Sequence, residues 1–344
     1  ELPEFDSDDR SDTDLYAAAI RHWALGETRR PDDTEALVLS PDRDLDGWHS
    51  DRSIVFIVTT DVPFLVDTVR MVLERHDIAT HLLVHPMLHV CRDADGRIER
   101  IVEPGADGDA GCGIEAWTQL EVDRCDAEQA AALQADLVEA VDRAHRVVGD
   151  FEPMRDRMLA HADLDPLLGW LSDGHFVFLG ASSFDVVAEG YTRRTDADLG
   201  LSVDNPTVDP EIDPAADPVS VARSSQVSTV HRAGRITAVT VRYEHDGGQR
   251  IDRFVGLLSS TAYRHSTLAI PSVGDRARGV LGLARDGAET HTGRSMRNVL
   301  ETLPRDVVFE LNSDQLALLV IEVVGLQERQ IVRVIDVPEP AGTW

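Results

Sequence analysis

Lysine does not occur anywhere in the 344 residues; every basic side chain of the Lys-plus-Arg class, 33 in all, is arginine. A Schiff base on lysine, a lysine general base and a P-loop lysine are therefore excluded. Positive charge is scarce too. The 62 acidic residues outnumber the 33 basic ones and leave a formal net charge of −29. Nucleic acid and anionic membranes are bound by clustered cations, so neither is an expected partner. Cysteine is limited to Cys91, Cys112 and Cys125, an odd number with no C-x-x-C pair. That pattern points to reduced thiols in a cytoplasmic setting rather than a disulfide framework. No long hydrophobic run is present either: the longest, Leu316 to Leu326, is interrupted by Glu322 and is too short to span a bilayer. No charged, then apolar, then small-residue leader opens the chain, and its first residue is Glu1 rather than Met, which suggests an excised fragment.

Several catalytic signatures are missing as well. GADGDAGCG (105–113) lacks the order of a dinucleotide loop and joins two strands instead of opening a helix. GASS and GLLSS are not G-x-S-x-G elbows, and no H-E-x-x-H occurs. No catalytic, cofactor-binding or metal-ligating residue is assigned. His81, His85 and His89 sit four apart, but on a strand neighbours at that spacing lie roughly 13 Å apart, too far to share one ion. Pro86 opposes the helix that would bring them together.

What remains is a well-patterned soluble chain, 42% hydrophobic, with length for about two domains. Residues 1–45 read as an acidic segment with one helix, Asp14 to Leu25, capped by Ser11 or Thr13. A β-α-β-β-α order follows in the first domain, 46–160. The β-branched run Ser53 to Thr60 is a strand, and Phe64 to Arg75 a helix whose Arg70 and Arg75 face solvent. Ile78 to Cys91 is a long strand, Asp93-Ala94-Asp95-Gly96 a hairpin turn, and Arg97 to Glu103 and Glu115 to Val122 further strands. A long helix, Asp126 to Val148, starts at a near capping box of Asp126 and Gln129. This order fits an α+β, ferredoxin-like βαββαβ module, a two-layer sandwich with an antiparallel sheet.

The second domain, 161–344, opens with a helix from Asp165 to Leu171 and a strand from His175 to Val187. The Asp- and Pro-rich stretch 188–227 reads as a solvated loop. Strands are expected at Ser228 to Arg232, Ile236 to His245, Arg250 to Ser260, Val307 to Leu311 and Gln330 to Val337. Helices are expected at Ser272 to Arg285, Ser295 to Leu303 and Ser313 to Leu326.

The stretch with most functional interest is the strand-to-helix turn Asp61-Val62-Pro63-Phe64-Leu65. Its residues suit a helix start, with Asp61 as N-cap and Pro63 just inside. The same physics lets exposed N–H groups at a helix end attract a carboxylate or phosphate.

The segment DGWHSDRSIVFIVTTDVPFLVDTVRMVLERHDIATHLLVHPMLHVCRDADGRI (46–98) resembles the N-terminal region of the large bacterial NAD-specific glutamate dehydrogenases. That family shows D-G-W…S, a strand, D-x-P-F-L-V-D-S-V and then H-x-x-x-H-P. LLGWLSDGHFVFLG (167–180), FVGLLSSTAYRHS (254–266), NVLETLPRDVVFEL (298–311) and GLQERQIVRV (325–334) extend the likeness collinearly. The resemblance implies ACT-like modules used for regulation or subunit contact. It implies a parent enzyme that deaminates L-glutamate to 2-oxoglutarate and ammonium with NAD at a site far downstream. Its partners would be the rest of the same polypeptide, the other subunits of a homo-oligomer and an amino-acid effector. Purely structural scaffolding, or a stand-alone enzyme of another type, are the rival roles. In effector-binding ACT domains a glycine follows the proline of the turn; Phe64 stands there instead. A ring at that position crowds a ligand's approach to the backbone, and would pack into the core or across a subunit interface.

Overall fold

A computed structural model of the chain describes residues 11–102, 112–188, 190–203, 217–284, 287 and 289–326. It divides into two compact units, residues 1–148 with 229–233, and residues 149–228 with 234–344.

The first unit begins with α1 (Asp12–Gly26), whose N-cap is Ser11: its hydroxyl oxygen accepts from the Asp14 amide at 3.1 Å. Strand β1 (Glu35–Leu39) and a single helical turn, α2 (Arg43–Asp46), precede β2 (Ser53–Thr60). Then come α3 (Leu65–Arg75), β3 (Thr80–Val84), β4 (Met87–Arg92), β5 (Ile98–Val102), β6 (Cys112–Val122) and α4 (Ala127–Gly149). The sheet order is β1-β2-β6-β4-β5, with β3 also paired to β6, and every pairing is antiparallel. This is the ferredoxin-like order with one substitution in connectivity. The outer strand beside β2 is β1, which comes before the module, and not a strand after α4.

Helices α3 and α4 cover one sheet face, where Val55, Ile57, Val69, Leu73, Leu120 and Leu137 form the core. Helix α1 lies on the other face, over Trp48, Ile54 and Phe56. Strand β2 is therefore buried on both sides, which is why SIVFIVTT is a continuous apolar run without alternation.

Three expectations need correction here. The single strand from Ile78 to Cys91 is two, broken at His85-Pro86, because proline has no N–H to give the ladder; its carbonyl still accepts from the Trp117 amide at 3.0 Å. Cys91 and Cys112 are not free thiols but a disulfide. They sit directly opposite each other in the β4–β6 ladder, with Cα atoms 4.0 Å apart, and only that register, not their 21-residue separation, brings the sulfurs together. Cys125 is free and buried. Finally, residues 35–39, read as part of an irregular acidic segment, form an edge strand.

A buried charge cluster ties these parts together. Glu115 accepts from Arg29 Nη2 at 2.8 Å and from Arg92 Nε and Nη2 at 2.7 and 2.8 Å. Trp117 Nε1 donates to it at 3.2 Å. The Arg29 and Glu115 side chains are 1% and 5% exposed. Further guanidinium hydrogens go to backbone carbonyls: those of Arg30, Pro31 and Asp33 from Arg29 Nη1, and those of Gly26 and Gly96 from Arg92; Arg29 Nε is buried without a partner. Gly96, at the β4–β5 turn, has φ +84, and a Cβ there would lie 2.6 Å from the Arg29 carbonyl oxygen. Burial alone would raise the pKa of Glu115, but the hydrogen bonds from Arg92 and Arg29 outweigh it and lower it.

The second unit starts with α5 (Phe151–Leu159) and α6 (Pro166–Trp170), followed by a π-turn, Leu171–His175, in which Gly174 takes φ +77. Five strands come next: β7 (Phe176–Val187), β8 (Gly190–Gly200), β9 (Val219–Val227), β10 (Arg235–His245) and β11 (Gly248–Leu258). Their order is β8-β7-β11-β10-β9, antiparallel throughout. Helices α7 (Ser260–Arg264), α8 (Val273–Leu281), α9 (His291–Thr302), α10 (Arg305–Glu310) and α11 (Ser313–Gly325) complete the unit. The core between sheet and helices includes Phe176, Phe254, Val273, Leu300, Leu316 and Val320.

Residues 188–227, expected as a loop, contain β8 and β9. Both are edge strands: β8 is polar, with pairs such as Arg193–Asp198 and Arg194–Asp196, and β9 alternates only briefly, at Val219-Ser220-Val221, before the polar stretch 223–226. Ser228 to Arg232 is a tight loop and not a strand. Val307 to Leu311 is largely helix α10, where burial of Arg305, Val308 and Phe309 overrides the β preference of the valines. The strand expected at Gln330 to Val337 lies outside the described residues. No helix among the described residues is long and apolar enough to cross a membrane.

Two consequences follow from the first unit. Glu115→Ala leaves two buried guanidiniums facing each other and should destabilise the unit by about 3–5 kcal/mol in urea titration; a loss below about 1 kcal/mol would mean that the cluster is not a structural tie. His22, on α1, is packed against the Phe56 and Trp117 rings, and burial lowers its pKa to about 4 from 6.5. The folded state thus resists the proton that the unfolded state takes up. Its contribution is full above about pH 6.5, declines as pH falls towards 4, and totals about 3 kcal/mol. His22→Leu should flatten stability across that window.

Candidate functional site

The Asp61–Leu65 turn leaves the end of β2 and enters α3. The Asp61 amide extends the ladder by donating to the Ile114 carbonyl at 3.0 Å, and its carboxylate lies 3.7 Å from His85 Nε2. Asp61 is not the N-cap. The helix begins at Leu65, three residues later than an Asp61 cap requires, and Phe64 holds the cap position without any side-chain cap hydrogen bond. Pro63 is exposed, Leu65 is buried in the core under α3, and Val62 packs at the edge of that core. Phe64 has φ +71, the left-handed region that L side chains avoid and glycine accepts readily. Its ring is half-buried and lies 4.4 Å, centroid to centroid, from the ring of His231. His231 belongs to the same unit through the 229–233 segment.

A polar cluster lies beside the turn. His85 Nδ1 meets Thr118 Oγ1 at 2.7 Å, and Thr59 Oγ1 meets His145 Nε2 at 2.8 Å. Thr34 donates to Asp142 at 2.8 Å. Burial lowers the pKa of His145, opposed by Asp142. These groups satisfy one another, and they pin the end of β2 to α4. Of the three evenly spaced histidines, His81 pairs with Asp123 at 2.7 Å, His85 joins this cluster, and His89 stands on β4. They do not converge, and among the described residues no group of three or more His, Cys, Asp or Glu could hold a metal ion. Arg70 and Arg75 are exposed, as their spacing predicts.

Two clusters in the second unit come nearest to catalytic constellations. Ser183 donates to Asp252 at 2.5 Å, and Asp252 also meets His161 Nε2 at 2.8 Å and the Tyr243 hydroxyl at 3.1 Å. The serine hydroxyl is held by the carboxylate and not by the imidazole, so the order is not that of a Ser-His-Asp triad, in which the imidazole takes the serine proton. Burial would raise the Asp252 pKa, but hydrogen bonds from His161 and Ser183 lower it. The Tyr243 hydroxyl is pushed up to about 12, by burial first and then by Asp252. In the other cluster His175 Nδ1 meets the Trp170 carbonyl at 2.7 Å and so carries the proton. Its Nε2 lies 3.1 Å from His265 Nε2, within hydrogen-bond reach. The His175 ring stacks on Trp170 at 4.0 Å, and Arg305 donates to the His265 carbonyl at 2.8 Å. This cluster gathers residues from 167–180, 254–266 and 298–311, three of the stretches through which the sequence resembles glutamate dehydrogenases.

Comparison with known proteins agrees with that resemblance. The profile of the glutamate dehydrogenase ACT1 domain matches residues 1–137, which contain the first sheet and the turn. The profile of glutamate dehydrogenase helical motif 1 matches residues 270–329. An NAD-specific glutamate dehydrogenase of Pseudomonas aeruginosa is 32% identical across 96% of this chain. One from Halomonas elongata is 28% identical across 96%, and one from Mycobacterium tuberculosis 29% across 76%. The chain belongs to the NAD-specific glutamate dehydrogenase family, as its N-terminal region. It spans about a fifth of the length of these relatives: 22%, 23% and 17%.

Within this glutamate dehydrogenase region, the backbone at Phe64 keeps the left-handed form that the glycine of effector-binding ACT turns would adopt with ease. Sequence reasoning reached Asp61 to Leu65 but not His231, Arg29 or Glu115: Arg29 and Glu115 meet across 86 positions of chain, and His231 meets Phe64 across 167. No local pattern marks such residues. Because the left-handed region costs a residue with a Cβ about 1–2 kcal/mol, Phe64→Gly should leave the unit more stable than Phe64→Ala by about 1 kcal/mol in urea. The usual order, alanine above glycine, would show that Phe64 is not strained.

Proposed function

We propose that this chain is a non-catalytic regulatory and assembly region of an NAD-dependent glutamate dehydrogenase. The reading is carried by the ACT1 match over residues 1–137 in a chain about a fifth as long as its relatives. The parent enzyme would convert L-glutamate, NAD and water to 2-oxoglutarate, ammonium and NADH. The resemblance calls for a lysine near that substrate, and this stretch has none. NAD would bind elsewhere in the parent, with the modules contacting the rest of the polypeptide and neighbouring subunits. An amino acid is the expected effector class, as in ACT domains at large.

Thermal unfolding of the chain with glutamate, aspartate, branched amino acids and nucleotides tests this. An effector at one hundred times its dissociation constant stabilises by about 2.7 kcal/mol, which raises the midpoint by several degrees. Flat curves across the set favour scaffolding without a ligand. Reduction of NAD by the purified chain with glutamate overturns the non-catalytic reading.

A further inference from the structure

We propose that the loop Thr229–Ala233 is a built-in occupant of the Asp61–Leu65 turn, so that the turn responds to docking of this segment rather than to a free amino acid reaching its backbone. The loop lies between β9 and β10 in sequence but belongs to the first unit. Its neck is closed by the Ser228 amide donating to the Gly234 carbonyl at 2.9 Å. Its tip is a three-residue turn, in which the Arg232 amide donates to the Val230 carbonyl at 3.0 Å around His231 at φ +73. A γ-turn with positive φ at a non-glycine residue is rare and strained, and persists only where surrounding contacts impose it. The contacts are at hand. Val230 is fully buried, the His231 amide donates to Thr68 Oγ1 in the first turn of α3 at 3.3 Å, and the imidazole lies over the Phe64 ring.

Two left-handed, non-glycine residues thus touch each other, Phe64 at φ +71 and His231 at φ +73. Each supplies what the other needs. The phenyl face receives the imidazole, and the imidazole covers a ring that would otherwise stand in water. This accounts for a phenylalanine where a ligand-binding turn has glycine: glycine leaves room for an effector, whereas phenylalanine offers a face for the loop. An incoming ligand for this place is of heteroaromatic, imidazole-like class, and must displace His231. The inference deepens the regulatory reading above and depends on it only for its biological role.

His231→Gly tests it on the full 344-residue chain, since glycine keeps φ +73 without strain and removes only the imidazole. Hydrogen–deuterium exchange should rise at least about tenfold at the amides of residues 65–68, with β10 and β11 unchanged. Millimolar imidazole should restore protection saturably by refilling the space over Phe64. Thr68→Val, which deletes the acceptor for the His231 amide and keeps the shape, should raise exchange in the same direction and gain nothing from imidazole. Unchanged exchange in both variants overturns the docking. Should His231→Gly unfold the whole unit, Thr68→Val alone decides: raised exchange at 65–68 supports the proposal, and none overturns it. NAD reduction by the chain would sink the functional reading and leave this result untouched.

Discussion

A carboxylate buried between two guanidiniums holds the first unit in the form that gives it any functional surface. Glu115 on β6 neutralises one of the two positive charges brought in by Arg29 and Arg92. The surplus positive charge is spread over carbonyl oxygens at the end of α1, in the 30–33 connection and at the β4–β5 hairpin. Charge at that depth is tolerated when most of its hydrogen-bonding groups are matched, as they are here except at Arg29 Nε. The match therefore dictates where α1 ends and how the hairpin closes. With α1 fixed over the second sheet face, β2 is enclosed on both sides, and the turn at its end projects from a rigid strand.

That turn shows how one fold can keep a conformation while exchanging its use. The left-handed residue at the head of α3 is a geometric demand of the strand-to-helix path. Glycine meets it without strain and leaves the helix start open. Phenylalanine meets it at a cost of about 1–2 kcal/mol and covers the opening with a ring, on which His231 rests. The polar cluster of Thr59, His85, Thr118 and His145 behind the turn is internally satisfied, which suits an anchor more than an empty receptor. The second unit follows a similar rule: its His175–His265 pair and its Ser183–Asp252–His161 chain have the residue types of catalysis but hydrogen bonds that immobilise them.

Much of the secondary structure was legible because it lies in strongly patterned segments. Helices α3, α4, α8, α9 and α11 and strands β2, β7, β10 and β11 carry either a 3.6-residue apolar period or a dense β-branched run between turn residues. The segments whose structure departs from local pattern share a different trait. β1, β8 and β9 are edge strands, only partly covered and therefore polar enough to look like loops, and α10 is a short helix with a strand's composition. Pro86 opposes a helix, and the same missing N–H also interrupts the strand between β3 and β4. Asp61 has the residue type that favours a cap, but the path from β2 into α3 takes three more residues before the helix begins.

Sequence alone determined the α+β class, the family, the position of the candidate turn and the exclusion of lysine chemistry, because each is written in contiguous residues or in composition. Tertiary structure alone decided the Cys91–Cys112 bond, the outer place of β1, the Arg29–Glu115–Arg92 cluster and the seating of His231 on Phe64. Each of these joins groups distant along the chain whose meeting depends on strand register and loop path. Local pattern specifies which face of an element is buried, but not which remote residue arrives to cover it.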